Sequence, residues 1–216
     1  NKNILVSRSF NKSQIQPASL DLTLSANCYR IKASFIPNNK KISQLIESLT
    51  LNKLNLNHEN LLEKNCIYLC ELNEKLDLPI NFSAKSNPKS TTGRLDIFTR
   101  LITENGKEYD HVIKGYKGKV YLEIIPQSFS IIVKRGISLN QLRFYNKTHN
   151  LKSFIKSQNI SIHIKKNEVS AYKAKKNTGA INLTKINYYK INDYWDKIVP
   201  IKNSFIIEKD EFYILR

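Results

Sequence analysis

The 216-residue chain contains no methionine, one tryptophan, six glycines, six prolines and three cysteines. Without a methionine it lacks its own initiator, which implies a processed, trimmed or partial chain. Glycine and proline are too few for a collagen-like or low-complexity polypeptide, and three cysteines are too few for a disulfide scaffold. No apolar run approaches the roughly 18 residues that a membrane span needs, and no signal-peptide pattern opens the chain. What is present is 41% hydrophobic residues, enough for one full domain plus part of a second around a core that needs no staples.

Acidic residues are also scarce, 18 against 35 lysines and arginines, so the net charge is +17. That balance invites a nucleic-acid reading. However, the charge is spread out, +10 over residues 1–150 and +7 over residues 151–216, and 28 of the cations are lysine. A nucleic-acid binder more often gathers its cations into a stripe with interleaved aromatics. A solvated basic surface that attracts a small polyanion, such as a nucleoside triphosphate, fits the distribution better. Cys66 and Cys70 are spaced C-x3-C with no second pair and no nearby histidine, which provides no zinc set. Strand alternation puts both on one face as buried core thiols, and free thiols suit the reducing cytoplasm. His58, His111, His149 and His163 lie in unrelated contexts without metal spacing.

Short alternating or β-branched runs recur at Leu20–Leu24, Cys66–Leu69, Val120–Ile125, Phe129–Val133, Ser161–Ile164 and Phe205–Ile207. Turn signals such as Asn38-Asn39, Asn105-Gly106 and Arg135-Gly136 separate many of them. The pattern predicts an all-β sandwich or barrel. One helix is expected over Ile42–Leu49, where Ile42, Leu45, Ile46 and Leu49 fall at i, i+3, i+4 and i+7. The Asn-rich stretch Asn52–Asn60 reads as a loop, and a domain boundary is expected near residues 146–158. A faint repeat relates Glu63–Leu69 to Glu208–Ile214, 145 residues later, with a looser match between Leu20–Ala33 and Ile160–Lys175. Trp195 reads as a packing anchor of the second segment.

Three segments carry chemistry: Gln16–Leu24 (QPASLDLTL), Ser83–Leu95 (SAKSNPKSTTGRL) and Gly115–Ile124 (GYKGKVYLEI). In the second, Lys89, Ser90, Thr91, Thr92, Gly93 and Arg94 place two cations, three hydroxyls and a flexible backbone within six residues. Such a turn either surrounds phosphate oxygens or is simply a polar loop. It is not a Walker loop, because G-x-x-x-x-G-K-[ST] is absent. In the third, Glu123 sits within an apolar strand. It is either an outward-facing edge charge or an inward carboxylate that must be paired or have a raised pKa. Near a hydroxyl and an arginine, such a carboxylate suits acid–base work on a bound water.

In this order and spacing the three segments resemble the dCTP deaminases of the dUTPase-like superfamily, in their double-length bacterial form. The resemblance covers residues 14–145 as a first domain. Residues 160–216, notably Ala171–Lys175 and Asp210–Leu215, resemble the opening of a second. It implies a dUTPase-like distorted jelly-roll or barrel with one short helix, spanning 1–150, followed by a partial second β domain over 151–216. It also implies hydrolytic deamination of dCTP to dUTP and ammonia, supplying dUTP for thymidylate synthesis. Glu123 would handle the protons of the attacking water and the leaving ammonia, and Ser90 and Arg94 would hold and polarise that water. Lys89 and Thr91 would contact the triphosphate, bound with Mg²⁺, and Gln141 would contact the nucleotide. The residue matching Asp21 is structural, in strand pairing or at the subunit contact. Zinc is not expected, since the H-x-E and P-C-x-x-C pattern of the zinc deaminases is missing. Single-length members are homotrimers with sites shared between subunits, so a homotrimer or a pseudo-trimer of tandem domains is expected, with no nucleic-acid or membrane partner.

The chain departs from the family where an aspartate commonly precedes the GY turn by two residues; Ile113 stands there. This argues against dUTP hydrolysis, and a closing C-terminal tail is not identifiable. The competing readings are a bifunctional deaminase–diphosphatase giving dUMP, a non-catalytic nucleotide-binding or assembly domain, and a nucleic-acid-binding β domain.

Overall fold

The computed structural model describes residues 11–146 and 161–216 apart from 163, 166 and 203. The expected boundary, apart from its first residue, lies outside these residues, as do His149 and His163. The chain divides into two compact units, Asn1–Thr148 with Ala180–Thr184, and His149–Gly179 with Lys185–Arg216.

After a 3-10 turn at Lys12–Gln14, the first unit runs β1 (Leu20–Leu22), β2 (Leu24–Ile31), helix α1 (Ile42–Leu49), β3 (Thr50–Asn55), β4 (Asn60–Leu62) and β5 (Ile67–Asp77). It continues with β6 (Ser83–Pro88), α2 (Ser90–Arg94), β7 (Ile97–Thr103), β8 (His111–Val112), β9 (Lys117–Pro126), β10 (Ile131–Val133) and β11 (Asn140–Tyr145). Then follow β12 (Ala171–Ala174), β13 (Ile181–Asn182), α3 (Ile191–Tyr194), β14 (Trp195–Ile198) and β15 (Tyr213–Leu215). The all-β expectation therefore holds. In the first unit the strands form a five-stranded sheet in the order β3-β2-β5-β9-β7, a four-stranded sheet β1-β11-β6-β8, and a three-stranded sheet β13-β10-β4. In the second unit the order is β14-β12-β15.

Strand periodicity decides where each side chain goes. Along β9, Val120, Leu122 and Ile124 enter a main core with Leu101 of β7 and Cys70 of β5. The four-stranded sheet supplies Leu20, Leu22, Ala84, Val112 and Leu142 to the same core, so it lies between the sheets. Tyr121, on the opposite face of β9, joins Leu69, Ile102 and Ile31 in a second cluster on the outer face of the five-stranded sheet. Helix α1 covers that face with Ile42, Ile46 and Leu49, the side chains that its periodicity sets on one side. No side chain caps its N-terminus at Lys41. Instead Glu104, from beyond the end of β7, accepts the Ile42 N–H at 3.3 Å and the Tyr121 hydroxyl at 3.1 Å.

Five sequence expectations are corrected. Asn52–Asn60 is not a loop throughout: Thr50–Asn55 is strand β3, because pairing with β2 outweighs the weak strand propensity of asparagine. Ser161–Ile164 and Phe205–Ile207 are not strands at their described residues. Ile206 and Ile207 are exposed, and among the described residues they form no ladder with a neighbouring strand. The run Leu20–Leu24 breaks at Thr23, whose N–H and hydroxyl both donate to the buried Glu74 carboxylate, at 2.9 and 2.6 Å. Finally, Cys66 and Cys70 are not a pair of core thiols. Cys70 is joined to Cys28, directly opposite it on β2, in a disulfide, and Cys66 is a half-buried free thiol. The disulfide removes the cysteine argument for a reducing compartment.

Asparagine takes over much of the work of the scarce glycines. Among the described residues eleven non-glycine positions have positive φ, and seven of them are asparagine and three aspartate. These short polar side chains tolerate the left-handed region by bonding to nearby backbone. Gly115 also takes this region, with φ of +67°, a backbone that side chains with a Cβ rarely adopt.

Candidate active site

Two groups of side chains stand out, on different sheets. The first gathers around the end of β6. Asp21 lies directly opposite Gln141 in the β1–β11 ladder, and Gln141 opposite Asn87 of β6. The chain then turns at Lys89, whose N–H donates to the Leu139 carbonyl at 3.0 Å. The Thr92 hydroxyl donates to the same carbonyl at 2.7 Å, which pins the short helix α2 onto the approach to β11. The ammonium of Lys89 donates to Asp21. Asp21 is buried, and its other oxygen, Oδ1, has no hydrogen-bond partner among the described residues. Gln141 accepts from the Ser19 hydroxyl at 2.8 Å and donates to the Pro88 carbonyl at 3.4 Å. Beneath them Ser86 donates to Asn140, which reaches Thr99 on β7 at 3.2 Å. Ser90, Thr91 and Arg94 are exposed on α2.

The second group lies on the outer face of the five-stranded sheet. Glu123 is fully buried, so it is no exposed edge charge, yet it lies on the face of β9 opposite Val120, Leu122 and Ile124 and is enclosed there rather than in the core between the sheets. Register places it opposite Leu69 on one side and Arg100 on the other. Arg100 donates to a single carboxylate oxygen, Oε1, from Nε at 2.8 Å and Nη2 at 2.5 Å. Oε2 is buried and has no hydrogen-bond partner among the described residues. The guanidinium carbon lies 3.9 Å from the centre of the Tyr109 ring and 5.1 Å from that of Phe98. Next to Tyr109, Asp110 accepts the Leu101 N–H at 2.8 Å from a left-handed backbone with φ of 59°. Burial pushes the Asp110 carboxyl above its usual range, and the negative charge of Glu123 adds to this. The Leu101 and Ser86 hydrogen bonds and the positive charge of Arg100 pull it back. Burial likewise raises the Tyr109 phenol, with Glu123 reinforcing the shift and Arg100 opposing it.

The structure thus brings Lys89 and Gln141 together around Asp21. It places Ser90, Thr91 and Arg94 on the exposed helix that follows, and sets Glu123 apart. No hydrogen bond or ion pair joins Glu123 to Ser90 or Arg94 among the described residues. Ile113 is exposed and lines a separate cleft of about 500 Å³ with Glu104, Lys107, His111, Tyr116 and Lys117. His111 faces Glu108 at 2.5 Å, and His58 is exposed. Among the described residues no group of three or more His, Cys, Asp or Glu side chains is placed to hold a metal ion, and no helix is long and apolar enough to cross a membrane.

Sequence reasoning missed Arg100, Tyr109 and Asp110. Arg100 was findable in principle as the lone cation within the apolar run Ile97–Thr103, but its partner depends on a strand register that no local pattern states.

The family model for the 2′-deoxycytidine 5′-triphosphate deaminase N-terminal domain matches residues 1–148, and the model for its C-terminal domain matches residues 145–216. Among solved structures, the chain is similar to 2′-deoxycytidine 5′-triphosphate deaminase from Agrobacterium tumefaciens. The two are 35% identical with a TM-score of 0.88, over 98% of this chain and 70% of that one. No curated protein matches it.

Proposed function

The chain belongs to the 2′-deoxycytidine 5′-triphosphate deaminase family, and we propose that it converts dCTP to dUTP and ammonia with Glu123 as the group that moves the protons. The observation that carries this assignment is the split state of that carboxylate. One oxygen is held by Arg100 and the other is buried without a partner among the described residues. A desolvated, unpaired oxygen is costly unless something occupies it. A water at Oε2 fills that need and is the nucleophile.

Oε2 takes a proton from water as oxygen bonds to C4 of cytosine, and passes that proton to N3. It then takes the proton of the new C4 hydroxyl and gives it to the exocyclic amino group. The C4–N bond breaks, ammonia leaves, and C4 keeps a carbonyl beside N3–H. The carboxylate ends as it began. Acid–base assistance of this kind is worth about 10²–10⁴-fold, so polarisation of the water by Ser90 and Arg94 supplies part of the remainder. The water is activated by carboxylate rather than by zinc, and Mg²⁺ enters as part of the substrate's triphosphate. Lys89 and Thr91 meet that triphosphate, and Gln141 meets the nucleotide. An ammonium has three donors, so Lys89 serves Asp21 and a phosphate oxygen together.

Glu123 lies on the outer face of its sheet while Ser90 and Arg94 are exposed on α2. This arrangement supports a site completed between copies of the chain, with Ser90 and Arg94 of one copy meeting Glu123 of a second in a homotrimer. The test is Glu123→Gln, an isosteric change that removes proton transfer. Turnover of dCTP is expected to disappear while dCTP binding by calorimetry persists. Turnover close to that of the unaltered protein would refute the assignment of Glu123.

A further inference from the structure

Arg100 was not among the residues that the sequence motifs pointed to, yet it is the hydrogen-bonding partner of the buried carboxylate. We propose that Arg100 is the positioning residue of the deaminase reaction, fixing which oxygen of Glu123 handles protons, and that Tyr109 in turn fixes Arg100. The inference rests on Glu123 being the proton-moving group.

Glu123 and Arg100 are directly opposed in the β7–β9 ladder, so the backbone alone brings their side chains to one face. A carboxylate can rotate and exchange its two oxygens. Here two nitrogens of one rigid guanidinium converge on Oε1, which restricts that exchange and leaves Oε2 without a hydrogen-bond partner among the described residues. The guanidinium is itself restrained by the Tyr109 ring on β7's neighbouring loop, whose centre lies 3.9 Å from the guanidinium carbon, and by Phe98, two residues earlier on the same face of β7. Its side chain is 23% exposed while that of Glu123 is fully buried. The cation therefore closes the carboxylate from one side without itself being sealed in. Lysine could supply the charge but not the two-nitrogen grip.

The experiment compares Arg100→Met, Arg100→Lys, Tyr109→Leu and Tyr109→Phe with Glu123→Gln, each on the full chain, by steady-state kinetics with dCTP alongside thermal unfolding. Misplacing a reacting group by an ångström costs about 100-fold. Arg100→Met is therefore expected to lose about 100-fold in kcat with KM changed less than about threefold. Arg100→Lys is expected to regain about tenfold of that loss. Tyr109→Phe, which keeps the ring under the guanidinium, is expected to retain more kcat than Tyr109→Leu. Tyr109→Leu is expected to lose about five- to tenfold in kcat, and reads the same restraint should Arg100→Met fail to fold. The proposal is overturned by a kcat for folded Arg100→Met within twofold of normal, by a loss lying wholly in KM, or by lysine doing no better than methionine. A dead Glu123→Gln together with an unaffected Arg100→Met removes only this inference. An active Glu123→Gln removes the reading on which it rests.

Discussion

Asn65 and Asp210, 145 positions apart, hold the same left-handed backbone, with φ of 61° at each. The likeness extends to their surroundings. Two residues before Asn65, the Glu63 N–H donates to the Tyr68 hydroxyl at 2.9 Å; two before Asp210, the Glu208 N–H donates to the Tyr213 hydroxyl at 3.1 Å. Arg30 pairs with Glu63, and Lys173 with Glu208. Arg30 lies opposite Tyr68, as Lys173 lies opposite Tyr213. On the other side Ile31 faces Thr50 just after α1, and Ala174 faces Trp195 just after α3. The faint sequence repeat is thus a repeated piece of structure, in which β12, α3, β14 and β15 copy β2, α1, β3 and β5.

The left-handed turn gives a prediction for both copies. A residue with a Cβ and no local hydrogen bonding pays about 1–2 kcal/mol there, whereas glycine pays no steric penalty. Asn65→Ala and Asp210→Ala are each expected to lose about 1 kcal/mol in urea denaturation, and the glycine variants about half a kcal/mol or less. Alanine tolerated at one position and not the other would break the equivalence.

The Lys89–Asp21 pair gives another. The side chain of Asp21 is 8% exposed and that of Lys89 29%. Removing the cation strands a buried carboxylate, which costs 3–5 kcal/mol when both partners are fully enclosed. Because solvent reaches Lys89, Lys89→Met is expected to cost about 1–3 kcal/mol. Adding Asp21→Asn to it is expected to recover about 1 kcal/mol or more, read as the coupling energy of a double-mutant cycle. Additive losses would mean that the pair does not stabilise the fold.

Asp110 makes the fold pH-sensitive in a defined direction. Its pKa is raised in the folded chain from the usual 3.8, chiefly by burial. A raised pKa means that its contribution is fully present below 3.8 and is lost as pH rises through the folded value. Asp110→Asn keeps an oxygen for the Leu101 N–H and suits the left-handed backbone. The variant is therefore expected to be more stable than the parent at neutral pH, with the advantage shrinking as pH falls toward 3.8. Thermal unfolding across that range checks it, and an advantage that grows on acidification would contradict it.

Tyr116 acts at the other end of the scale. Burial pushes its phenol up from 10.0 to about 12, with the Glu104 charge adding to the shift and the hydrogen bond from the Glu104 backbone opposing it. Its contribution is intact below pH 10 and is lost between 10 and about 12. Tyr116→Phe is expected to flatten the alkaline loss of stability over that interval, measured by circular dichroism.

Much of this molecule is legible in its residues, and the exceptions have physical causes. Helix α1 occupies the residues that its apolar spacing indicates, because a period near 3.6 is a strong local signal. Strand β3 was missed because asparagine-rich sequence becomes a strand only when β2 lies alongside. Phe205–Ile207 misled for the converse reason, as β-branched residues form no strand without a partner. At the site, Glu123 stood out as a carboxylate in an apolar run, but its orientation depended on what covers the outer face of the sheet. The long-range pairs Arg100–Glu123 and Lys89–Asp21 follow from register, which a linear sequence does not display.

The most direct test of the central claim is to incubate the chain with dCTP and Mg²⁺ in water enriched in ¹⁸O and to weigh the nucleotide product. Attack of water at C4 places one ¹⁸O in the uracil base of dUTP and releases ammonia in equal amount, and both signals vanish in Glu123→Gln. Label appearing on a phosphate of dUMP instead, or full activity in Glu123→Gln, would contradict the account.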